Sequence, residues 1–293
     1  MRNPHLGLRV ATRGSRLALA QARIAGDALR RAGAGDVRDV VVRTTADRHP
    51  DTPLERLEGQ GWFVAEVERT LLDGEADVAV HSAKDLPADL ADGLCVAALL
   101  PRADPRDAVV SRDGLRLADL PAGARVGTSS VRRIEFLRIL YPHLVPTPVR
   151  GNVDTRLAKL DAGVVDAMLL ASAGLDRIGA GDRAAERLDP TWFVPAPAQG
   201  AIALEARCGS PVAALCSTFD DGDTRCAVTA ERAVLATIGG GCVIPLGAWA
   251  RTSEGGLAVS AALATEARVV RAELVGDPAA PEELGVAVAS HLQ

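Results

Sequence analysis

The sequence predicts an α/β protein with two domains of related layout and a smaller α+β unit at the C-terminal end. Short apolar runs alternate with segments of helical periodicity, a pattern typical of the strands and helices of α/β folds. Two kinds of strand-and-turn unit each occur twice along the chain. The 293 residues are 48% hydrophobic, which is enough for two or three domains with their own cores.

The first repeated unit is a strand, a polar turn and a helix. Apolar residues at 8–11 precede a polar turn at 12–15, and apolar residues then recur at helical spacing over 17–29. Ser15 is a favourable N-cap for this helix. A second copy covers 125–140, so the unit is present in both predicted α/β domains.

The second repeated unit is a glycine, an aspartate three residues later and an apolar strand. It occurs at 74–80 and at 163–169. Near-continuous apolar strands predict buried parallel sheets, in which ligands bind beyond the carboxyl ends of the strands. Only the first copy leads into Lys84 and Asp85, so we expect any acid–base chemistry in the first domain.

The last third of the chain predicts a connection and then a separate unit. The proline-containing segment 188–197 indicates an irregular crossing between domains, and 198–218 returns to strand-like character. The acidic stretch 220–223 predicts a linker. The α+β unit that follows is predicted from a helix at 226–238, strands near 247–251, 257–263 and 269–274, and a helix at 281–292.

Charge and composition argue against several classes of protein. A net charge of −5 with 24% charged residues does not indicate a surface for nucleic acid or for a membrane. The apolar runs are too short to cross a bilayer and the first residues carry no signal core, so we expect a cytoplasmic protein. The five cysteines lack zinc-site spacing, so neither a metal nor a disulfide framework is predicted.

A set of arginines near predicted strand ends forms the first candidate site. Its members are Arg13, Arg132, Arg133, Arg150, Arg156 and Arg177. The pair 132–133 follows a Gly-Thr-Ser-Ser turn at a helix start, where N–H groups and guanidinium groups together bind carboxylates. Solvated surface charge is the alternative for any single arginine, whereas the paired arginines favour binding of a ligand with several carboxylates.

Residues 81–85, His-Ser-Ala-Lys-Asp, place a carboxylate beside a cation at a strand end. Such a pair can stabilise a developing cation or transfer protons to an amine leaving group. The alternative is a salt bridge within a loop, and spacing alone favours that alternative. His81 by itself is more typical of a packed or hydrogen-bonded histidine than of a catalytic base.

Cys242 follows three glycines after the predicted helix 226–238. Glycines let the backbone approach a ligand and leave a thiol accessible for covalent attachment. A glycine-rich helix stop with an incidental cysteine is the alternative. The Gly-Gln-Gly-Trp-Phe stretch 59–63 predicts either a turn with a core aromatic or a lid that faces the substrate. These features together also fit a two-domain receptor for a small anion.

Several short motifs occur in a fixed order along nearly the whole chain. They are 9–15 (Arg-Val-Ala-Thr-Arg-Gly-Ser), 51–54 (Asp-Thr-Pro-Leu), 80–87 (Val-His-Ser-Ala-Lys-Asp-Leu-Pro), 104–108 (Asp-Pro-Arg-Asp-Ala), 127–133 (Gly-Thr-Ser-Ser-Val-Arg-Arg), 150–157 (Arg-Gly-Asn-Val-Asp-Thr-Arg-Leu), 199–201 (Gln-Gly-Ala) and 240–242 (Gly-Gly-Cys). Each motif alone is weakly specific, whereas the full set in this order is highly specific. The set resembles the hydroxymethylbilane synthase (porphobilinogen deaminase) family.

The resemblance implies a fold and a domain organisation. Members have two α/β domains similar to type II periplasmic binding proteins, a cleft between them and a small C-terminal α+β domain. On this chain the first domain would cover 1–100 and 198–218, the second 101–197 and the third 219–293. The resemblance also implies a monomer.

A covalent cofactor and a transferase activity are also implied by the resemblance. The cofactor is a dipyrromethane, held by a thioether to the cysteine that matches Cys242. Four porphobilinogen molecules are joined head to tail on this primer with loss of ammonia, and hydrolysis releases linear hydroxymethylbilane for tetrapyrrole (haem) biosynthesis. The aspartate that matches Asp85 is the main catalytic group, which assists loss of ammonia and stabilises the cation that results.

The remaining site residues are likewise implied by the resemblance. Besides Cys242 and Asp85, the cofactor is held by the residues that match Ser82, Lys84, Ser129, Arg132, Arg133 and Arg156. The substrate is held by the residues that match Arg13, Ser15, Phe63, Arg150, Arg156 and Arg177.

One position departs from the family pattern. Gln60 stands where many members have a lysine in the lid over the cleft, so the lid loses a cation but keeps Trp62 and Phe63. Two other hypotheses stay open. A receptor for a small anion would need neither Asp85 nor Cys242, and a non-catalytic paralogue would bind tetrapyrrole precursors as a regulator.

Overall fold

A computed structural model describes residues 7–43, 64–87, 89–239 and 244–293. The chain forms two compact units. The first unit comprises Met1–Arg102 and Ala201–Thr224, and the second comprises Ala103–Gly200 and Arg225–Gln293. Among the described residues, none of the helices combines the length and the apolar character needed to cross a membrane.

Strands and helices alternate through most of the described residues. The strands are β1 Leu8–Arg13, β2 Val37–Val42, β3 Val78–Ser82, β4 Leu94–Leu99, β5 Asp107–Ser111, β6 Arg125–Gly127, β7 Val145–Thr147, β8 Ala167–Ala171, β9 Glu186–Arg187, β10 Ile202–Arg207, β11 Leu246–Ser253, β12 Gly256–Ala264 and β13 Val269–Gly276. The α-helices are α1 Arg16–Arg31, α2 Ala65–Leu72, α3 Val131–Leu140, α4 Val153–Asp161, α5 Ser172–Arg177, α6 Pro211–Ser217, α7 Gly222–Ile238 and α8 Pro281–Ser290.

The sheet of the first unit has the strand order β2-β1-β3-β10-β4. β1 pairs in parallel with β2 and with β3, as predicted. β10, however, runs antiparallel to both β3 and β4. The prediction of an all-parallel sheet fails at this strand because β10 follows the crossing between the two units and not a strand–helix–strand crossover.

Helices cover both faces of this first sheet. Side chains alternate between the two faces along each strand, so neighbouring residues of β1 face different helices. Val10 packs in one core with Leu29 of α1. Ala11 and Ala79 pack in another core with Leu71 of α2. The strand end that carries residues 81–85 is therefore supported on both sides.

The second unit repeats this layout and adds another sheet. Its larger sheet has the order β7-β6-β8-β5-β9, with β6 parallel to β7 and β8, and β5 antiparallel to β8 and β9. The three C-terminal strands form an antiparallel sheet of order β11-β12-β13. The two five-stranded sheets share one strand order, so the predicted α/β class with two sheets of related layout and a small C-terminal α+β part is confirmed.

The C-terminal part has its own core and also contacts the second α/β sheet. Its own core is lined by residues of α7, α8 and β11–β13, among them Val234, Val259 and Val288. Ala262 and Ala264 of β12 instead pack with Phe193. Because both parts belong to one compact unit, the predicted boundary between a second and a third domain stays a prediction.

The starts of two helices can be compared with the predicted N-cap at Ser15 and the predicted linker at 220–223. The Ser15 hydroxyl accepts a hydrogen bond from the Ala18 N–H at 3.2 Å, so the predicted N-cap of α1 is confirmed. The predicted linker at 220–223 is wrong in its second half, because Asp220 and Asp221 lie outside any helix or strand whereas Gly222 and Asp223 do not. α7 already begins at Gly222, because the Asp221 carboxylate accepts the Thr224 N–H at 2.8 Å and caps the helix.

Candidate functional site

Asp85 lies on a short turn at the carboxyl end of β3. The strand ends at Ser82, and a 3₁₀ turn follows over Ala83–Asp85. The Ala83 N–H donates to the Ala201 carbonyl at 3.0 Å, which ties the turn to the start of β10. The Asp85 side chain is exposed and Lys84 is half-buried, so the turn presents a carboxylate and an ammonium group side by side.

Ser82 is oriented by a residue that the sequence analysis missed. The Gln21 amide nitrogen donates to the Ser82 hydroxyl at 2.8 Å, and the hydroxyl lies 3.3 Å from the Gln21 amide oxygen. Gln21 is buried on the face of α1 that also buries Ala22 and Ala25. A polar residue on an otherwise apolar helix face is the signal that would have indicated it.

Arg13 and Ser15 lie at the same edge of the first sheet as Ser82. Arg13 is the last residue of β1 and Ser82 the last of β3, and parallel strands end at the same edge. Arg13 and Ser15 are both half-buried. Ser15 uses its hydroxyl oxygen to cap α1, which fixes the side chain at the edge. The first unit therefore gathers the predicted residues Arg13, Ser15, Ser82, Lys84 and Asp85 at one sheet edge.

The second unit has an equivalent edge at the ends of β6 and β8, which also pair in parallel. The Ser129 hydroxyl donates to the Val149 carbonyl at 2.8 Å, and the Ser130 N–H donates to the Thr128 hydroxyl at 3.2 Å. The hydroxyl-rich turn before α3 thus stabilises its own loop, while the Ser129 oxygen keeps capacity to accept a further hydrogen bond.

The paired arginines at the start of α3 are buried and share one carboxylate. Arg132 and Arg133 are 4% and 5% exposed. Asp107 accepts from Arg132 Nη2 at 2.7 Å and from Arg133 Nη2 at 2.6 Å. The pair also donates to the carbonyls of Val194 and Leu169, at 2.8 and 2.9 Å. Solvated surface charge is therefore wrong for this pair, and two cations facing one carboxylate leave one positive charge in excess.

The other three candidate arginines of the second unit are half-buried, and two of them donate to backbone carbonyls. Arg156 donates to the Gly151 carbonyl at 2.8 Å, and Arg177 donates to the Gly200 carbonyl at 2.6 Å. Burial lowers the pKa of Arg177 to about 10, so its guanidinium group remains charged at neutral pH. Arg150 is half-buried.

The donors of the second unit suit a ligand with several carboxylates. Three buried polar atoms of the second unit have no hydrogen-bond partner among the described residues: Arg132 Nε, Arg150 Nη1 and Ser172 Oγ. Buried donors are normally satisfied, so such atoms indicate a place where an external acceptor would bind. Acetate and propionate groups are acceptors of that kind, and the residues present therefore fit a dipyrromethane.

The predicted attachment cysteine and the predicted aromatic contact lie outside the described residues. This applies to Cys242, to Phe63 and to the substituted lid position Gln60. Cys216 is a poor alternative for covalent attachment, because burial raises the pKa of its thiol to about 12 and only the thiolate reacts readily.

Family models match nearly the whole chain. Residues 8–213 match the model "Porphobilinogen deaminase, dipyromethane cofactor binding domain". Residues 225–293 match the model "Porphobilinogen deaminase, C-terminal domain".

Solved structures with a similar fold include two of low sequence identity. The BvgS VFT2 domain of Bordetella pertussis is 18% identical with a TM-score of 0.43, over 73% of this chain and 86% of that chain. Lipoprotein Tp32 of Treponema pallidum is 12% identical with a TM-score of 0.45, over 72% of this chain and 88% of that chain.

Curated relatives are much more similar in sequence. The porphobilinogen deaminase of Acidothermus cellulolyticus is 47% identical over 97% of this chain and 88% of the relative. The porphobilinogen deaminase of Bordetella parapertussis is 47% identical over 97% of this chain and 92% of the relative. The porphobilinogen deaminase of Sorangium cellulosum is 48% identical over 91% of this chain and 90% of the relative. On these full-length matches, the chain belongs to the porphobilinogen deaminase family.

Proposed function

We propose that this protein is a hydroxymethylbilane synthase. It would join four porphobilinogen molecules head to tail with loss of ammonia and release linear hydroxymethylbilane. The observation that carries the proposal is the exposed Asp85 carboxylate on the turn at the end of β3. Family membership supports the reaction, and the turn supplies the group that the reaction needs.

Asp85 is the proposed catalytic residue. Loss of ammonia breaks the bond between the aminomethyl carbon and the nitrogen of porphobilinogen, and it leaves a cation spread over the pyrrole ring. A fixed carboxylate lowers the energy of that cation and accepts protons from pyrrole nitrogen. Lys84 beside it would bind a substrate or cofactor carboxylate. Asp85 would thus stabilise a positive charge and Lys84 a negative one.

The remaining cations and hydroxyls bind the carboxylates of two pyrrole ligands. We assign Ser82, Lys84, Ser129, Arg132, Arg133 and Arg156 to the cofactor, together with Asp85. We assign Arg13, Ser15, Phe63, Arg150, Arg156 and Arg177 to the substrate. The excess positive charge at Asp107 and the unpartnered donors Arg132 Nε and Arg150 Nη1 support this assignment.

Cys242 is the proposed attachment residue for the dipyrromethane. When bound, this group supplies the terminal pyrrole carbon to which the first substrate unit is joined. A thioether is stable, so the protein keeps the primer when the finished product leaves. We also propose, from the family resemblance, a cytoplasmic monomer, for which light scattering should give a single species near 30.4 kDa.

The test compares Asp85→Ala with Asp92→Ala, a change to an exposed carboxylate in the same unit. Intact mass first establishes how much of each protein carries two deaminated porphobilinogen units on the Cys242 peptide. Turnover of porphobilinogen is then measured per loaded molecule. Asp85→Ala should lower turnover by a factor of about 10² to 10⁴, the usual contribution of a proton-transferring side chain. Asp92→Ala should retain wild-type turnover.

Two outcomes would contradict the proposal in different ways. Wild-type turnover by loaded Asp85→Ala protein would show that another group does the chemistry. A wild-type protein that gains no mass from porphobilinogen and forms no product would favour the anion receptor or the non-catalytic paralogue instead.

A further inference from the structure

A buried polar pair joins the strand that leads to the Asp85 turn to its neighbour β10. The Nε2 atom of His81, in β3, is 2.9 Å from Oε2 of Glu205, in β10. The two side chains are 5% and 0% exposed. His81 is the residue before Ser82, and the proposed chemistry uses neither member of the pair.

Stability is a poor explanation for this pair. A buried hydrogen bond between side chains contributes only modestly to stability, because it replaces hydrogen bonds that both groups would make to water. The second carboxylate oxygen, Glu205 Oε1, is buried without a hydrogen-bond partner among the described residues. The pair is thus incompletely compensated, which favours a role in orientation.

β10 holds the end of β3 by backbone and by side chain. In the register of the two strands, His81 lies opposite Ala203 and Ser82 lies opposite Ile202. The Ala83 N–H then donates to the Ala201 carbonyl at 3.0 Å. The Glu205 side chain adds a contact to His81, so the last two residues of β3 and the first residue of the turn are held by β10 and by the residue before it.

An irregularity in the sheet lies next to Glu205. The register between β10 and β4 shifts at this residue. Leu204 pairs with Ala98, but the next residue, Glu205, pairs with Val96, so one residue of β4 is skipped. Such β-bulges redirect a side chain and are common beside active sites. Here the shift accompanies a carboxylate that is fully buried.

Glu68 of α2 is the other charged group that influences this pair. Burial raises the pKa of Glu68; the nearby Glu205 raises it further, whereas His81 opposes the increase. Glu68 also accepts the Ala91 N–H at 3.3 Å. Titratable side chains from β3, β10 and α2 therefore meet inside the first unit, where α2 contributes Val67 to the surrounding core.

We propose that His81 and Glu205 are positioning residues whose side-chain hydrogen bond fixes the end of β3 and thereby orients the Asp85 carboxylate. The inference rests on the proposed function, because the orientation of Asp85 matters only if Asp85 carries the chemistry. It predicts a loss in kcat with little change in KM for porphobilinogen. A misplacement on the order of 1 Å can cost about 100-fold, so we expect kcat to fall about tenfold to hundredfold.

The test uses two variants of the full-length, cofactor-loaded protein. The double change His81→Leu/Glu205→Leu removes both members of the pair together, so that neither is left buried without the other. His81→Gln is the matched control, because its amide nitrogen can still donate to Glu205. Intact mass gives the loaded fraction, urea unfolding gives the stability, and kcat and KM are determined per loaded molecule.

We expect the double variant to fold, to keep the wild-type KM and to lose kcat, while His81→Gln keeps most of kcat. Wild-type kcat in the double variant would overturn the inference. So would equal losses in both variants, or a double variant that does not fold, since the pair would then be a stability element. Failure of the proposed function is distinguishable, because the wild-type protein itself would form no product.

Discussion

At the scale of single residues, Asp107 organises the candidate cofactor site. Its Oδ2 accepts from Arg132 and its Oδ1 accepts from both Arg133 and Gln199, the last at 3.0 Å. Burial alone would raise the pKa of this carboxyl, but Arg132 and Arg133 outweigh it and hold the pKa well below its usual range. The carboxylate therefore stays ionised throughout the physiological range of pH.

Asp107→Asn is expected to lower the free energy of unfolding by about 3 to 5 kcal/mol, because it leaves two buried guanidinium groups without their shared charge. Urea unfolding at pH 7 measures the change. Asp113→Asn, at an exposed position of the same unit, is the control and should stay within about 0.5 kcal/mol of the wild type. An Asp107→Asn protein as stable as the control would show that the arginines do not depend on this charge.

The same residues show what the sequence could and could not predict about the site. A Gly-Thr-Ser-Ser turn before two arginines predicted a site for a ligand anion at a helix start, which stays a prediction, and in the structure both arginines contact an anion of the protein itself. That anion is Asp107, which is 25 and 26 residues away along the chain. Spacing carries no information about such a distant contact, so the burial of the pair could not be predicted.

At the scale of elements, the internal duplication was predictable and its divergence was too. In both copies of the unit made of a glycine, an aspartate and an apolar strand, hydrophobic periodicity indicates the strand directly. In the first copy β3 leads into a 3₁₀ turn with Lys84 and Asp85, whereas in the second β8 leads into the α-helix Ser172–Arg177. The difference in these residues predicted that only the first copy carries acid–base chemistry.

Two features at the same scale escaped the sequence analysis. The start of α7 was missed because a run of acidic residues is typical both of a linker and of a helix N-terminus. Asp221 decides between them through its bond to the Thr224 N–H. The antiparallel direction of β5 and β10 was missed because each returns from a crossing between units, and an apolar run does not indicate direction.

At the scale of the whole molecule, the two five-stranded sheets have the same strand order but carry different charged residues at the ends of their parallel strands. Each five-stranded sheet gathers its polar residues where parallel strands end, with the Asp85 carboxylate in the first unit and mostly cations in the second. The C-terminal sheet adds a core of its own and belongs to the same compact unit as the arginine cluster. The proposed acid–base chemistry is therefore assigned to the first unit, whereas residues of both units are assigned to the binding of carboxylates.

Stability in acid is a property of the whole molecule that depends on carboxylates held by arginines. Asp104 accepts from Arg106 at 2.7 Å and from Arg187 at 2.9 Å. Burial alone would raise the pKa of Asp104, but the hydrogen bonds from Arg106 and Arg187 lower it from 3.8 to about 2. The unfolded chain thus binds a proton at higher pH than the folded one.

This difference fixes the sign of the expected pH dependence. The stabilisation from Asp104 is fully present above pH 3.8 and is lost as the pH falls through about 2. Asp104→Asn should therefore be less stable than the wild type at pH 7 and pH 5, and the gap should narrow below pH 4. Urea unfolding at several pH values measures the gap, with the exposed Asp113→Asn as control. A gap that stayed constant from pH 7 to pH 3 would mean that the arginines do not hold Asp104 ionised in the folded protein.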